Sequence, residues 1–529
     1  MPESSLTRRQ VLRRGAGVGG GLAALVAAGY AGYAWGGSDA RVLNGKAAPP
    51  RVWSTTTRGV DADAIPFVSR PDLRPPTLTL SHEVGWTAPS ALEGSYYILT
   101  PKAYVPDGPG QSGLMIVDAD GELVWFRPTV ASTLTRTDMQ VQRYRGRPVL
   151  TWWEGEVPTG VGQGIGYVAD QTYRVITTVQ AGNGLKSDAH ELNLTPSGTA
   201  LITAYGTTEA DLRAVKGPSK GTIYACQAQE IDVATGKMLF AWDSLEHVGI
   251  EESYAAYTPG ATTPYDYFHI NSVSLAEDGD LLISSRNTWT IYKVNRRTGE
   301  VVWRLGGKKS DFTFGPGVQF YWQHHVRSIT KNRLTVFDDG ASPAEESQSR
   351  GLILKIDESK MHCSLERAYT HPAKLLAANQ GSVQVMPDGR VLVGWGDQPY
   401  FSEFTADGTM IIDARFPADD QTYRAFRAHW RGLPATTPDL VVKSFTTART
   451  AFVSWNGDTR TAYWRVLGGK DSAHLSELID VPKTGFETVI AIPTGGPYFA
   501  VEALDQYRRV LSRSSTVRPQ ASTSPSTLG

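Results

Sequence analysis

One pattern constrains the fold of this chain more than any other: an acidic or polar turn followed by an apolar strand, often ending in an aromatic. It reads "DADGELVWF" from Asp118, "ADQTYRVITTV" from Ala169, "DVATGKMLFAW" from Asp232, "NRRTGEVVWRL" from Asn295, "DESKMHCSLERAY" from Asp357 and "TADGTMIIDARF" from Thr405. The copies are spaced by roughly 50 to 65 residues. Most are preceded by a second signature, a hairpin with a Gly or Asn turn: "HELNLTPSGTALITAYG", "HINSVSLAEDGDLLISSRN", "HHVRSITKNRLTVFDDG" and "GSVQVMPDGRVLVGWGD". Alternating apolar residues flank each turn, as β-hairpins require. Two hairpins per unit, repeated about six times, predict a six-bladed β-propeller at about residues 85–432. Tyr423–Gly432, "YRAFRAHWRG", is the expected closing strand.

Beyond "LPATTPDLVV" the pattern changes. Residues 438–517, with an early Trp455 and a late "YFAVEALD", predict a fibronectin type III-like β-sandwich. The expected fold class is therefore all-β. The Ser/Thr/Pro tail, 518–529, has the composition of a disordered segment.

The N-terminus reads as an address rather than as fold. Residues 1–40 carry a twin arginine, Arg8 and Arg9, then Arg13 and Arg14, then a Gly/Ala-rich uncharged run. That order predicts a twin-arginine export signal. The run is also about long enough to anchor the chain in a bilayer, and Ala34 and Ala40 are alternative cleavage positions. Residues 41–84 form an N-terminal extension. Fourteen Trp, 22 Tyr and 53 Gly suit a β-rich protein with many tight turns. A net charge of −1 with no basic block excludes a nucleic-acid partner. Cys226 and Cys363 have no metal-ligand spacing, and the sequence leaves their pairing open.

Hairpin geometry places the polar residues. His269 and Arg286 face one another at the open end of the hairpin that turns at Asp278–Gly279. His190 and Tyr205 stand in the same relation, as do His324 and Asp339. Three histidines thus begin three successive inner strands, with Asn271 on the face of His269. The doublet His324–His325 needs a choice. His190, His269 and His324 lie an even number of residues before their turn residues Gly198, Gly279 and Asn332, and His325 an odd number. Without a bulge, His324 should enter the channel and His325 should turn away. Such a cluster can staple blade ends, bind zinc, or hold an oxyanion beside a nucleophile. Arg286 speaks against zinc, since a fixed cation beside a divalent metal is unfavourable. Arg, His and Asn donors around an uncommitted imidazole suit the third use.

The segments "FHINSVSLAEDGDLLISSRNTWTIYKVNRRTGEVVWRLGGKKSDF", "YWQHHVRSI", "LTVFDDGA", "GLMIVDADGELVWFRP" and "DAHELNLTPSGTALITAYG" resemble the arylsulfotransferase family, in an actinobacterial-type member. Its enzymes are exported propellers that move a sulfuryl group between phenols without a nucleotide donor. The resemblance implies that His324 is the nucleophile and forms a transient sulfohistidine. It implies that His269 and Asn271 bind sulfate, that Arg286 clamps it, and that His190 is a further active-site histidine. The partners implied are an aryl sulfate donor and a phenolic acceptor; no cofactor or metal is implied. Enterobacterial members carry a disulfide close before the nucleophile, whereas "GGKKSDFTFGPGVQFYWQ" has no cysteine.

Two rival functions remain at this stage. "DVATGKMLFAW" and "RRTGEVVWRL" resemble the Trp-docking repeats of quinoprotein dehydrogenases, although neither calcium ligands nor a vicinal cysteine pair is found. A non-catalytic envelope-binding protein is the other.

Overall fold

The computed structural model describes residues 64–521 except 84–91, 104–109, 131–132, 446–448 and 494–495, together with short strands between 42 and 58. The export segment expected at 1–40 lies outside the described residues. The chain divides into two units, 1–54 with 83–85, and 55–82 with 86–529. In the first, Val42 pairs with Ala47 and Leu43 with Lys46. The second unit holds the repeats and the C-terminal sheets.

That unit is all-β. Ser244–His247 is the one α-helical turn among the described residues. Each repeat folds into an antiparallel meander whose first strand faces inward. The first strands are β1 (Thr135–Tyr144), β2 (Ser187–Leu194), β3 (Ile270–Leu275), β4 (His324–Thr330), β5 (Ser382–Val385) and β6 (Asp420–His429). Each is followed in its sheet by two middle strands and an outer one, as β3 is by 281–285, 290–294 and 301–306. The meanders of β1 and β2 are joined by a Gly164–Ser187 pair. The six recurrent turns all connect the last two strands of a meander, so that the Trp, Phe or Tyr they carry lies at its outer edge. Gly198 and Gly279 close inner hairpins at φ of +83° and +90°, a region open to glycine at little cost.

The sheets follow one another in a circle. Thr137 Oγ1 donates to Ala189 O, linking β1 to β2, and Tyr205 OH donates to Ile270 O on β3. Ser274 Oγ donates to Val326 O, linking β3 to β4. The Val383 N–H donates to His325 Nδ1, and Ser382 Oγ to Ala425 O, which carries the chain of contacts through β5 to β6. Arg424 on β6 then reaches Asp138 on β1. Apolar clusters fill the gaps between consecutive sheets, as Leu282, Trp303, Val336 and Leu354 do between those of β3 and β4. A buried side chain of this size stabilises by roughly 1.5–3 kcal/mol.

β6 completes the first meander by pairing with Ser95–Ala103, where His429 faces Ser95. Residues 79–82, which the sequence placed in the extension, pair with 412–415 and so belong to the β5 sheet. Beyond Leu433, two four-stranded sheets enclose one core that includes Val442, Val453, Trp464, Ile490 and Val501. Asn456 exchanges two hydrogen bonds with the Phe126 backbone and holds this region against the first meander. Cys226 and Cys363 are both free and buried.

Candidate active site

The three histidines stand at the beginnings of β2, β3 and β4, and these strands are not plain pleats. Register shifts fall between Ser187 and Leu192, Ile270 and Ser272, and His324 and Arg327. His269, Trp322 and His325 have φ of +53°, +58° and +51°, in the left-handed region that L residues seldom adopt. Such backbone costs about 1–3 kcal/mol per residue and persists where the surroundings enforce it. The even–odd count along these strands therefore does not apply, since it required strands without bulges. The bulges themselves separate the doublet. His324 joins His190 and His269, with ring centroids 6.4 Å and 6.5 Å away. His325 packs its ring 5.5 Å from Phe426 and accepts the Val383 N–H at Nδ1.

Each of the three histidines is oriented by a carboxylate. His190 Nδ1 lies 2.5 Å from Asp188 Oδ2, His269 Nδ1 2.5 Å from Asp266 Oδ2, and His324 Nδ1 2.8 Å from Asp339 Oδ2. Asp339 faced His324 in the sequence reading. Asp188 and Asp266 were missed, although each stands within three residues of its histidine. With Nδ1 occupied, Nε2 of His190 and His269 is left for the shared space, while that of His324 also meets the Gln380 N–H.

Two backbone groups fix the tautomer of His324. Trp322 O lies 3.2 Å from Nδ1 and can only accept, whereas the Gln380 N–H points at Nε2 from 3.4 Å and can only donate. The proton therefore sits on Nδ1 whatever the charge of Asp339, and Nε2 keeps its lone pair. Burial, followed by the charge of Arg286, holds His324 well below the usual histidine range. Burial also lowers His269, although Asp266 opposes it. Burial pushes Asp339 well above the usual carboxylate range, against Arg286.

Arg286 follows the 281–285 strand, and its backbone N–H donates to His269 O at 3.0 Å. Nη1 donates to Asn287 Oδ1 at 3.0 Å and Nη2 to Ala378 O at 2.9 Å, while the guanidinium lies 4.7 Å over the Trp322 ring. Its other N–H groups make none of these bonds. Burial lowers its pKa from the usual value. Arg286 and Asp266 both line a cavity of about 460 Å³, whose other walls include Tyr254, Tyr257, Tyr265 and Trp322. Asn271 lies deeper. It is fully buried, and its Nδ2 donates to Gln323 O at 2.7 Å, next to His324.

One ligand atom from each histidine lies within 4.8 Å of the others. A tetrahedral zinc with Zn–N of about 2.0–2.1 Å draws its nitrogens to about 3.4 Å of one another. The rings would have to close in, with Arg286 as an opposing cation. The residues suit an anion better: a guanidinium with N–H groups outside these bonds borders an aromatic-walled cavity.

The arylsulfotransferase (ASST) family profile matches residues 140–417, a span containing all three histidines, Asn271 and Arg286. The chain belongs to this family and is a sulfotransferase, with a small-molecule donor and acceptor. No curated protein matches it. Among solved structures, a protein of unknown function from Bacteroides caccae is similar at 11% identity, over 63% of this chain and 98% of that one, with a TM-score of 0.38. A Lactobacillus plantarum protein is similar at 13% identity, over 75% and 100%, with a TM-score of 0.35. Virginiamycin B lyase from Staphylococcus aureus is similar at 10% identity, over 61% and 83%, with a TM-score of 0.22.

Proposed function

We propose that this sulfotransferase moves a sulfuryl group from an aryl sulfate ester to a phenolic acceptor in two half-reactions, with His324 as the carrier. One observation supports the reading above others. His324 is a buried, neutral imidazole whose proton is held on Nδ1, one of three histidines with ligand atoms within 4.8 Å of one another, and the partly uncommitted Arg286 lowers its pKa by its charge. A histidine nucleophile needs that state, and a transferring sulfuryl group needs those donors.

In the first half-reaction the Nε2 lone pair attacks sulfur and forms an N–S bond as the S–O bond to the aryl group breaks in line. Charge on the peripheral oxygens falls to Arg286. His269 enters this step as imidazolium paired with Asp266 at the cavity wall, gives its Nε2 proton to the leaving phenolate and is left neutral. In the second half-reaction His269 recovers a proton from the acceptor phenol, whose oxygen attacks the sulfur and regenerates His324. The aromatic-walled cavity receives the ring of donor and acceptor in turn.

The same reading takes the circle of sheets as a six-bladed β-propeller and the two sheets beyond Leu433 as a fibronectin type III-like sandwich. It takes residues 1–40 as a twin-arginine export signal or anchor that places the enzyme outside the cytoplasmic membrane. The strand order, the shared C-terminal core and the Arg8–Arg9 pair support these points in turn.

The test is a brief pulse of aryl sulfate without acceptor, followed by intact-protein mass spectrometry and peptide mapping at mildly alkaline pH. The protein should gain one sulfuryl mass on His324 and release one phenol. His324→Ala should lose both the mass and turnover, and His325→Ala should keep both. Turnover with no label, or with a label elsewhere, would favour direct transfer with His324 as a base.

A further inference from the structure

Away from the reacting groups, the interior of the circle holds a second buried charge cluster. Arg424 on β6 is 2% exposed. Its Nη1 donates to Asp138 Oδ1 at 2.8 Å and to Glu191 Oε1 at 3.3 Å, and its Nη2 donates to the Asn271 carbonyl at 3.1 Å. Glu191 also accepts from Arg327 Nη2, at 2.8 Å and 2.9 Å on its two oxygens. Asp138 Oδ2 accepts the Leu192 N–H at 3.2 Å, and Oδ1 accepts from Gln140 Nε2 at 3.0 Å. Two arginines thus face two carboxylates, and the charges balance. One guanidinium touches β1, β2 and β3, and through Glu191 reaches Arg327 on β4.

Buried ion networks contribute little net stability, because desolvation offsets the attraction; apolar replacements are often neutral or stabilising. What a network of this shape does supply is fixed geometry, and its partners adjoin the site. Glu191 follows His190 in the chain. Asn271, held by its carbonyl, is two residues beyond His269, and its amide donates to the carbonyl of Gln323, the neighbour of His324. Tyr423, next to Arg424, donates its hydroxyl to His190 O at 3.1 Å. A planar guanidinium can bond three strands in different directions, whereas an ammonium is a point donor on a flexible stem.

We propose that Arg424 is a positioning residue for sulfuryl transfer, setting the relative placement of His190, His269 and His324 by tying together the strands that carry them. This rests on the function proposed above. Arg424 does not touch substrate; it acts through Glu191 and through Asn271. Asn271 then serves to seat the nucleophile's strand, since its side-chain amide is turned to the Gln323 carbonyl.

The test compares Arg424→Met, Arg424→Lys and the double variant Arg424→Met/Asp138→Asn in the full chain. For each, thermal melting is read beside the rate of His324 sulfation at saturating aryl sulfate. Arg424→Met should slow sulfation on the order of a hundredfold, the scale of a 1 Å misplacement of reacting groups, with little change in donor KM. It should also melt earlier, because Asp138 and Glu191 then face one cation. The double variant restores the charge balance and should recover the melting temperature while sulfation stays slow. Arg424→Lys keeps the charge and should also stay slow. Recovery of the wild-type rate in the double variant or in Arg424→Lys would overturn the proposal and leave Arg424 as a charge balancer. Failure of all three variants to fold would overturn it as well, by showing a purely structural role. If the wild-type enzyme turns over without a label on His324, the carrier reading fails by itself, and steady-state kcat against KM then reads the positioning role.

Discussion

The circle of sheets and the two-sheet region beyond Leu433 are both antiparallel β, yet their interiors differ in kind. The C-terminal core is apolar, from Leu440 through Trp464 to Ala503. Its buried carboxylates, Asp458 and Asp505, accept backbone N–H groups within their own turns. The circle instead buries Asp138, Glu191, Asn271, Gln323, His324, His325 and Arg424, all at most 2% exposed. Burying such groups costs free energy unless each finds a partner. A chain that builds one dry core cheaply and a second core around charge is placing the charge for a use. The difference teaches where to expect chemistry: in the circle, while the C-terminal sheets act as packed structure.

The sharpest way to break this contrast is Arg286→Lys. The charge stays, but the planar fork over Trp322 is lost, and sulfation of His324 should fall roughly a hundredfold or more. Near-normal rates in pulse labelling would reduce Arg286 to a stacking residue. The opposite case is Trp464→Ala, which removes a fully buried ring from the C-terminal core. It should cost about 3–5 kcal/mol of stability in that region. Below its melting transition, sulfation by this variant should match the wild type, and a parallel loss of rate would join the two regions functionally.

Acid titration of the phenol burst gives a smaller effect. Attack requires neutral imidazole, and a folded pKa below the usual value of about 6.5 keeps His324 neutral at lower pH. As pH falls, the burst should therefore persist below pH 6.5. Half-loss at or above 6.5 would mean an unperturbed carrier. The smallest effect belongs to His325→Gln, because that ring faces Phe426 and the Val383 N–H, away from the other histidines. Its rate should stay within about threefold of wild type, about 0.6 kcal/mol by the logarithmic relation of rate to barrier.

The repeated turns were legible because a hairpin turn is a local event. Asp-Gly, Ser-Gly and Thr-Gly pairs fix the chain reversal within a few residues, so the strand pairs on either side could be read directly. The bulges were not legible. A residue such as His269 or His325 enters the left-handed region under pressure from its surroundings, and nothing in its own identity announces this. Asp188 and Asp266 were within reach, as acids two and three residues ahead of the histidines they orient. Gln380, Tyr423 and Arg424 were not, since they meet the histidines only across the circle. The place of residues 79–82 was hidden for a related reason: they have no local marker of the sheet they join.

The docking of β6 has a consequence for the order of assembly. Arg427 on β6 bonds Ser95 from 332 residues away along the chain. Loop closure of that length adds only a modest entropy, but contacts so distant in sequence form late. Every sheet from β1 to β4 can complete itself from nearby chain, whereas the first meander stays short of its inner strand until residues 420–429 arrive. Tyr423 and Arg424 arrive with them. All three histidines thus lie in sheets that bond one another directly, through Tyr205, Asn271 and Ser274, before Arg424 can tie them to β1. The Arg424 link from β6 to β1 and to the strands that carry the histidines is the last tie that the circle acquires.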